Sequence, residues 1–381
     1  NRAIDSKVAS HVEISAASRY YDNELDVGTN IAAAVVAGRD GNDLVVVGEK
    51  GKPDGYITGG SKIELGEGDN EIRVRTNIDH SEIKTGSGDD IVTTGLKGGG
   101  DGYILNSRGD YAIDLGDGNN KLTVGTNIQN SEIKTGSGDD IVNVGVNGID
   151  GYITGHSKVE LGDGNNTLNV RTNITNSKII TGDGNDFIEI EGGVYNSADI
   201  TTGAGNDTLT IGGKVESLPY TRVKISTGDG NDSVTIKGDA IDKAKIDLGN
   251  GDDTLTIKAA HVIGGVDDKG ALDGGKGYDK LIISSPEDTI DLKHVSYHAK
   301  NFEELDISGA KNTTLKVGIQ DVLDMTDDKH TLKITGDKGD TVDLKEDVKG
   351  SGWHQGASED GYTTYTNNTV TIQIKDEIHV I

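Results

Sequence analysis

The sequence predicts an all-β fold: a right-handed parallel β-solenoid with one glycine–carboxylate corner per coil, followed by a small β-rich C-terminal cap. Three observations predict it. Only 33% of the 381 residues are hydrophobic and 4% aromatic, against 56 glycines, too few large apolar side chains to fill a globular core of this size. A short turn, G-x-G-[ND]-[ND], recurs at steps of about 20 to 30 residues, the period of solenoids. Each turn leads into a stretch where Ile, Leu or Val alternates with Thr, Lys or Glu, as in a half-buried strand. Apolar poverty alone would also fit disorder; the regular alternation decides for a thin, repeated core.

Residues 1–36 read as an upstream connecting segment or first rungs. The array occupies 37–285, with first glycines at Gly38, Gly66, Gly86, Gly116, Gly136, Gly162, Gly182, Gly203, Gly228, Gly249 and Gly275. A longer unit is superimposed: DGYI recurs at Asp54, Asp101 and Asp150, and the segment SKIELGEGDNEIRVRTNI from Ser61 returns as SKVELGDGNNTLNVRTNI from Ser157. Within a unit, a glycine turn leads to an alternating strand such as Thr208–Ile211. A polar turn such as Thr172–Asn176 follows, then a second strand, Lys178–Ile180, and the next glycine turn. Two strands per unit imply a flattened coil. The paired glycines supply the positive φ angles of tight corners. From about Pro286 the glycine turns thin out, and 286–381 reads as a cap of strands and turns with a short helix within Val317–Met325.

Charge narrows the function. Lys+Arg of 37 against Asp+Glu of 64 leaves a formal charge of −27, which repels nucleic acid and anionic lipid and suits metal ions or polycations. No apolar run approaches the 18 or so residues of a membrane helix. There is no cysteine, hence neither disulfide framework nor thiolate metal site. The chain opens at Asn1 without a signal-peptide pattern and reads as part of a longer protein.

Corners stacked in register hold carboxylates about 4.8 Å apart. At an effective dielectric near 20, two such charges repel by roughly 3–4 kcal/mol. A ladder of them therefore calls for something positive between the rungs. Asp, Asn and backbone carbonyls without His or Cys select a hard cation, Ca2+ above all.

These turns resemble the glycine-rich, aspartate-bearing nonapeptides of RTX (hemolysin-type) calcium-binding repeats, G-G-x-G-x-D-x-U-x with U a large apolar residue; GAGNDTLTI at 203–211 carries that pattern from its second glycine. The resemblance implies a parallel β-roll with Ca2+ in the turns. It places the ligating aspartate at Asp43, Asp90, Asp140, Asp186, Asp207, Asp232, Asp253 and Asp279. The middle residue (Asn42, Asp89, Asp139, Asn185, Asn206, Asn231 or Asp252) would contribute mainly through its backbone carbonyl. Three departures stand out: the spacing is 20 or more residues rather than nine, and the Gly275 turn carries Lys276 and Tyr278, as an end rung would. Asn70, Asn120 and Asn166 also replace the aspartate in alternate corners. Those corners should bind calcium more weakly, or borrow a carboxylate from the next rung, helped by Glu67, Asp117 or Asp163; Asp69, Asp183 and Asp229 complete the candidate ligand set.

Array followed by cap resembles the C-terminal region of large bacterial surface adhesins exported by type I secretion. That resemblance implies an extracellular, non-enzymatic stalk that folds when it meets calcium. Its partners would be calcium ions, the type I secretion machinery, and host or biofilm ligands bound through other domains, with an export signal near Asp376–Ile381. A calcium-dependent surface-layer segment is the alternative. A β-helical polysaccharide lyase or epimerase would need a basic residue beside the metal, and Arg75 and Arg171 in VRTNI read instead as solvated strand ends. Tyr56, Tyr103 and Tyr152 of the DGYI copies read as strand packing rather than an exposed aromatic ladder.

Overall fold

In the computed structural model, the described residues are 2–4, 8, 12–13, 22–48, 54–96, 102–106, 112–146, 148, 150–263, 269–309, 312–344 and 352–381. The DGYI copy at Asp101 therefore begins outside them. The chain divides into two compact units, Asn1–Gly203 and Ala204–Ile381.

Each coil of the first unit has three strands rather than two. Four-residue strands build most of one wall; Glu24–Val27, Leu44–Val47, Glu71–Val74, Ile91–Thr94 and Phe187–Ile190 are among its members. They pair in parallel without slip, so that Leu25, Val45, Ile72 and Val92 stand one above another. The second wall consists of two-residue strands such as Ile57–Thr58, Ile78–Asp79 and Ile174–Thr175. The third contains strands such as Lys62–Glu64, Glu82–Lys84 and Glu132–Lys134. The flattened two-strand coil expected from sequence is thus corrected. The polar turn contains one apolar residue, Ile78 or Ile174 for example, and its burial turns that segment inward as a wall of its own.

Register explains the alternation. In parallel strands with period two, one side-chain row faces inward along its whole length. That row (Leu25, Val45, Ile72, Leu122, Val142, Leu168, Ile188) is fully buried. A single coil has nothing to bury it against, so stability comes from stacking.

The second unit has a wall of its own of this kind, Thr208–Ile211, Ser233–Ile236, Thr254–Ile257, Lys280–Ile283, Glu304–Asp306, Thr331–Thr335 and Val370–Lys375, paired in parallel. Beyond residue 285 a sheet of Thr289–Asp291, Thr314–Val317, Thr341–Leu344 and His379–Val380 joins it. Two short helices appear there. The second, α2 (Ile319–Met325), lies within the segment expected to hold a helix; the first, α1 (Leu292–His298), stands where strands and turns are expected. Asp291 caps α1 by accepting the Lys293 N–H at 3.2 Å, a local signal obscured by the β-branched residues before it. Before the last strand the chain forms an antiparallel meander, His354–Glu359, Tyr362–Asn367 and Val370–Lys375.

Candidate metal centre

One corner type joins the third wall to the first, and it is built from glycine outward. Gly86 (φ +99°) and Gly88 (φ +132°) hold backbone angles closed to other residues. Stacking tightens the requirement: a Cβ on Gly116 would lie 1.6 Å from the Gly86 carbonyl oxygen, and one on Gly118 2.0 Å from that of Gly88. Register corrects the first corner of the array. Gly38 stands beside Leu65 and Arg39 beside Gly66, so Arg39, not Gly38, holds the first-glycine position.

The last residue of each corner points inward, and here the sequence reading needed the fold. In the first unit Asp43, Asn70, Asp90, Asn120, Asp140, Asn166 and Asp186 are at most 2% exposed. Each of the first six donates its backbone N–H to the side-chain Oδ1 of its counterpart one coil later. Asp43 to Asn70, Asp90 to Asn120 and Asp140 to Asn166 measure 3.0 Å each. Asn70 to Asp90, Asn120 to Asp140 and Asn166 to Asp186 measure 2.8, 2.7 and 2.8 Å, shorter as carboxylate acceptors should be. In the second unit Asp207, Asp232, Asp253 and Asp279 continue the same pattern at 2.8, 2.7 and 2.9 Å.

That second ladder ends on a residue that no glycine motif marks. Glu303 accepts the Asp279 N–H at 2.8 Å through Oε2 and the Asp327 N–H at 3.2 Å through Oε1. Glu303→Ala should leave the buried Asp279 N–H and the half-buried Asp327 N–H unmet. We expect a loss of about 1–3 kcal/mol, read by denaturant unfolding, with faster amide exchange concentrated at Lys280–Ile283.

The other oxygen of the ladder side chain is decisive. In Asn70 the Nδ2 donates to the carbonyls of Gly66 (3.2 Å), Gly68 (2.8 Å) and Thr85 of the next coil (3.1 Å). Asn120 and Asn166 do the same with their own corner glycines and with Thr135 and Thr181. Aspartate has an acceptor where asparagine has this donor. The Oδ2 atoms of Asp43, Asp90, Asp140, Asp232, Asp253 and Asp279 are buried with no hydrogen-bond partner. Burial pushes the carboxyls of Asp140, Asp253 and Asp279 up to about 7; the Thr135 hydroxyl and then the Asn120 N–H offset part of this at Asp140, and the N–H groups of Asp232 and Asp253 offset part of it at Asp253 and Asp279. Burial also raises those of Asp43, Asp90 and Asp232. A buried carboxylate oxygen among carbonyls requires a proton or a cation.

The middle residues build a second ladder with their side chains. Asn42, Asp69, Asp89 and Asp139 are exposed, and each accepts, through its side chain, the N–H of its counterpart one coil later, at 2.7–2.9 Å. Asn206, Asn231 and Asp252 form the equivalent outer ladder in the second unit. Asn185 donates its N–H to Asn165. The two ladders run in opposite senses, inner N–H groups donating to the later coil and outer ones to the earlier. Asp117, Asp163, Asp183 and Asp229 are exposed at the turn tip; Asp117 and Asp163 accept the N–H of Ser137 and Asp183 at 3.0 Å, and Asp229 accepts the Asn250 side-chain amide. Glu67 bonds Ser87. The carboxylate that each asparagine corner engages is the inner one of the next rung, Asp90, Asp140 or Asp186, through its backbone N–H. The asparagine amide itself fills the corner's interior.

Among the described residues no three His, Cys, Asp or Glu side chains converge. A cation here would take one carboxylate per corner and otherwise backbone carbonyls, an all-oxygen set suited to a hard ion.

Arg75 is buried, not solvated, and follows Val74, at the end of a four-residue strand away from Asn70. Exposed Arg171 lines a first-wall groove of about 160 Å3 with Glu189 and Glu191. Neither stands beside a corner carboxylate. The DGYI tyrosines are half-buried, and their N–H groups donate to Asn30, Asn77 and Asn127 at 2.9–3.0 Å. They alternate with those asparagines, which puts successive rings two rungs, about 9.6 Å, apart, beyond ring contact.

No known family model matches the chain, and no curated protein matches it in sequence. Among solved structures, a hyperactive, Ca2+-dependent, β-helical antifreeze protein from an Antarctic bacterium is similar at 18% identity. The alignment covers 89% of this chain and 85% of that one with a TM-score of 0.38. A likeness at that score decides nothing about the corners described above.

Proposed function

We propose that this chain is a calcium-dependent folding element, a solenoid whose aspartate corners are completed by Ca2+. One observation carries the reading: buried Oδ2 atoms without partners, at the position where asparagine donates to carbonyls. Asp43, Asp90, Asp140, Asp232, Asp253 and Asp279 would hold the ions together with the glycine carbonyls of their corners. When bound, the ion supplies positive charge where desolvated carboxylates would otherwise destabilise the stack. Ligands from stacked coils come together only in the folded chain, so binding free energy becomes folding free energy.

The physiological setting follows from affinity. Sites built largely of neutral carbonyls, with one carboxylate per corner, suit the range of extracellular modules, roughly 10⁻⁴ to 10⁻³ M. Such a chain stays unfolded where calcium is scarce and folds outside the cell. This fits export in an unfolded state by a type I system and service as a surface stalk.

Protein freed of metal at pH 7.5 should lose most of its β signal in far-UV circular dichroism and regain it with millimolar calcium, with bound calcium counted after gel filtration. An unchanged spectrum together with no bound calcium would sink the proposal.

A further inference from the structure

The ladder side chain covaries with the residue five positions before it. Asn70, Asn120 and Asn166 are preceded by Leu65, Leu115 and Leu161. Asp90, Asp140, Asp186, Asp207 and Asp232 are preceded by Thr85, Thr135, Thr181, Thr202 and Thr227. Asp43 and Asp279 have Gly38 and Gly274 there, and Leu248 before Asp253 is the one mixed corner.

Hydrogen bonds give the pairing a reason. In a leucine corner, asparagine Nδ2 serves two carbonyls of its own coil and one of the next. Without that amide the next coil's carbonyl loses its donor, and threonine replaces it. Thr85, Thr135, Thr181 and Thr227 donate Oγ1–H to the carbonyls of Leu115, Leu161, Thr202 and Leu248 at 3.0, 2.8, 2.9 and 2.7 Å. In these corners the amide that serves the two glycine carbonyls in a leucine corner is absent, aspartate standing in its place. Asp90 and Asp140 are fully buried there, and their second oxygens have no partner.

We propose that these two positions form a code that selects how each coil is joined to the next: Leu with Asn joins it by a built-in amide and takes no ion, whereas Thr with Asp joins it by a bound calcium ion. The proposal rests on the calcium reading of the corner and adds which corners bind. It also orders the units. From Asp43 to Asp186 ion corners alternate with amide corners, so carboxylates lie two rungs apart. From Asp207 to Asp279 four aspartates occupy successive rungs. At one rung their mutual repulsion is about twice that at two, so calcium binding should be more cooperative, and its loss more damaging, in the second unit.

The test uses the full chain and calcium chloride, with bound ions counted by equilibrium dialysis. Thr85→Leu/Asp90→Asn combined with Thr135→Leu/Asp140→Asn should fold, bind two fewer ions than the parent and keep amide protection at Glu71–Val74 and Lys121–Val124 in EGTA. Leu115→Thr/Asn120→Asp, made alone, should bind one more ion than the parent and lose protection in EGTA sooner. Asp89→Asn/Asp139→Asn in the outer ladder should leave the count unchanged. The code is overturned if the first variant keeps the parent's ion count, or cannot fold in saturating calcium, or if the outer-ladder variant is the one that loses ions. A parent that binds no calcium removes the underlying reading as well, which separates that failure from failure of the code.

Discussion

Lowering the pH of metal-free protein from 8 to 5 should restore β structure rather than destroy it. The buried carboxyls of Asp140, Asp253 and Asp279 titrate near 7 in the fold, against about 3.9 for aspartate in an unfolded chain. A group raised in the fold binds its proton more tightly there. Its contribution is therefore fully present below about pH 4 and is lost as pH rises through 7. Each such group is worth on the order of 2–4 kcal/mol across that window. Carboxyls of the opposite kind limit the gain at the acid end. Burial would raise Glu304 and Asp306, but Lys280, 3.2 and 2.8 Å away, outweighs it and holds both below their usual range; that stabilisation disappears as they protonate. Metal-free protein should be most stable near pH 5. Calcium competes with the protons, so the difference in denaturant midpoint between calcium-loaded and metal-free samples should be large at pH 8 and small at pH 5. A metal-free sample whose β signal falls steadily from pH 8 to 5 would contradict the buried, partnerless carboxylates.

Gly118→Ala should be among the most damaging single-methyl changes in the chain. Gly118 sits at φ +128°, and its added Cβ would meet the Gly88 carbonyl oxygen at 2.0 Å, a backbone atom that cannot swing aside. Backbone strain alone costs on the order of 1–3 kcal/mol. Forcing two coils apart adds to it, for a total above about 3 kcal/mol. Gly148 is the control. It too has positive φ, at +94°, but nothing lies within 4 Å of its Cβ position. Gly148→Ala should show strain without the clash, and the difference in denaturant midpoint between the variants isolates close coil stacking. Equal losses would mean that the glycine corners are not packed as tightly as the structure has them.

Much of this was legible in the one-dimensional string. Alternation in TLTI or EIRV fixes which side chains turn inward, because period two is a property of the strand itself. The glycine pairs announce corners for an equally local reason, the φ angles that only glycine adopts readily. Other features were hidden. Ile78 and Ile174 were absorbed into a polar turn because one apolar residue has no period. Glu303 could not be recognised as the end of a ladder, since its partner Asp279 lies 24 residues earlier and no glycine stands before it.

The sequence alone determined that the chain is a repeated, half-buried strand with a recurring acidic bend, for these are matters of spacing and residue type. Only the tertiary structure decided that the last carboxylate of each bend is buried while its neighbour is solvated. It also showed that asparagine and aspartate at that position are opposites rather than near-equivalents. The physical reason is that both outcomes depend on backbone groups one coil away, 20 to 30 residues distant in the chain. Stacking register brings those groups to the side chain, and no local pattern records which atom will meet a donor and which an acceptor.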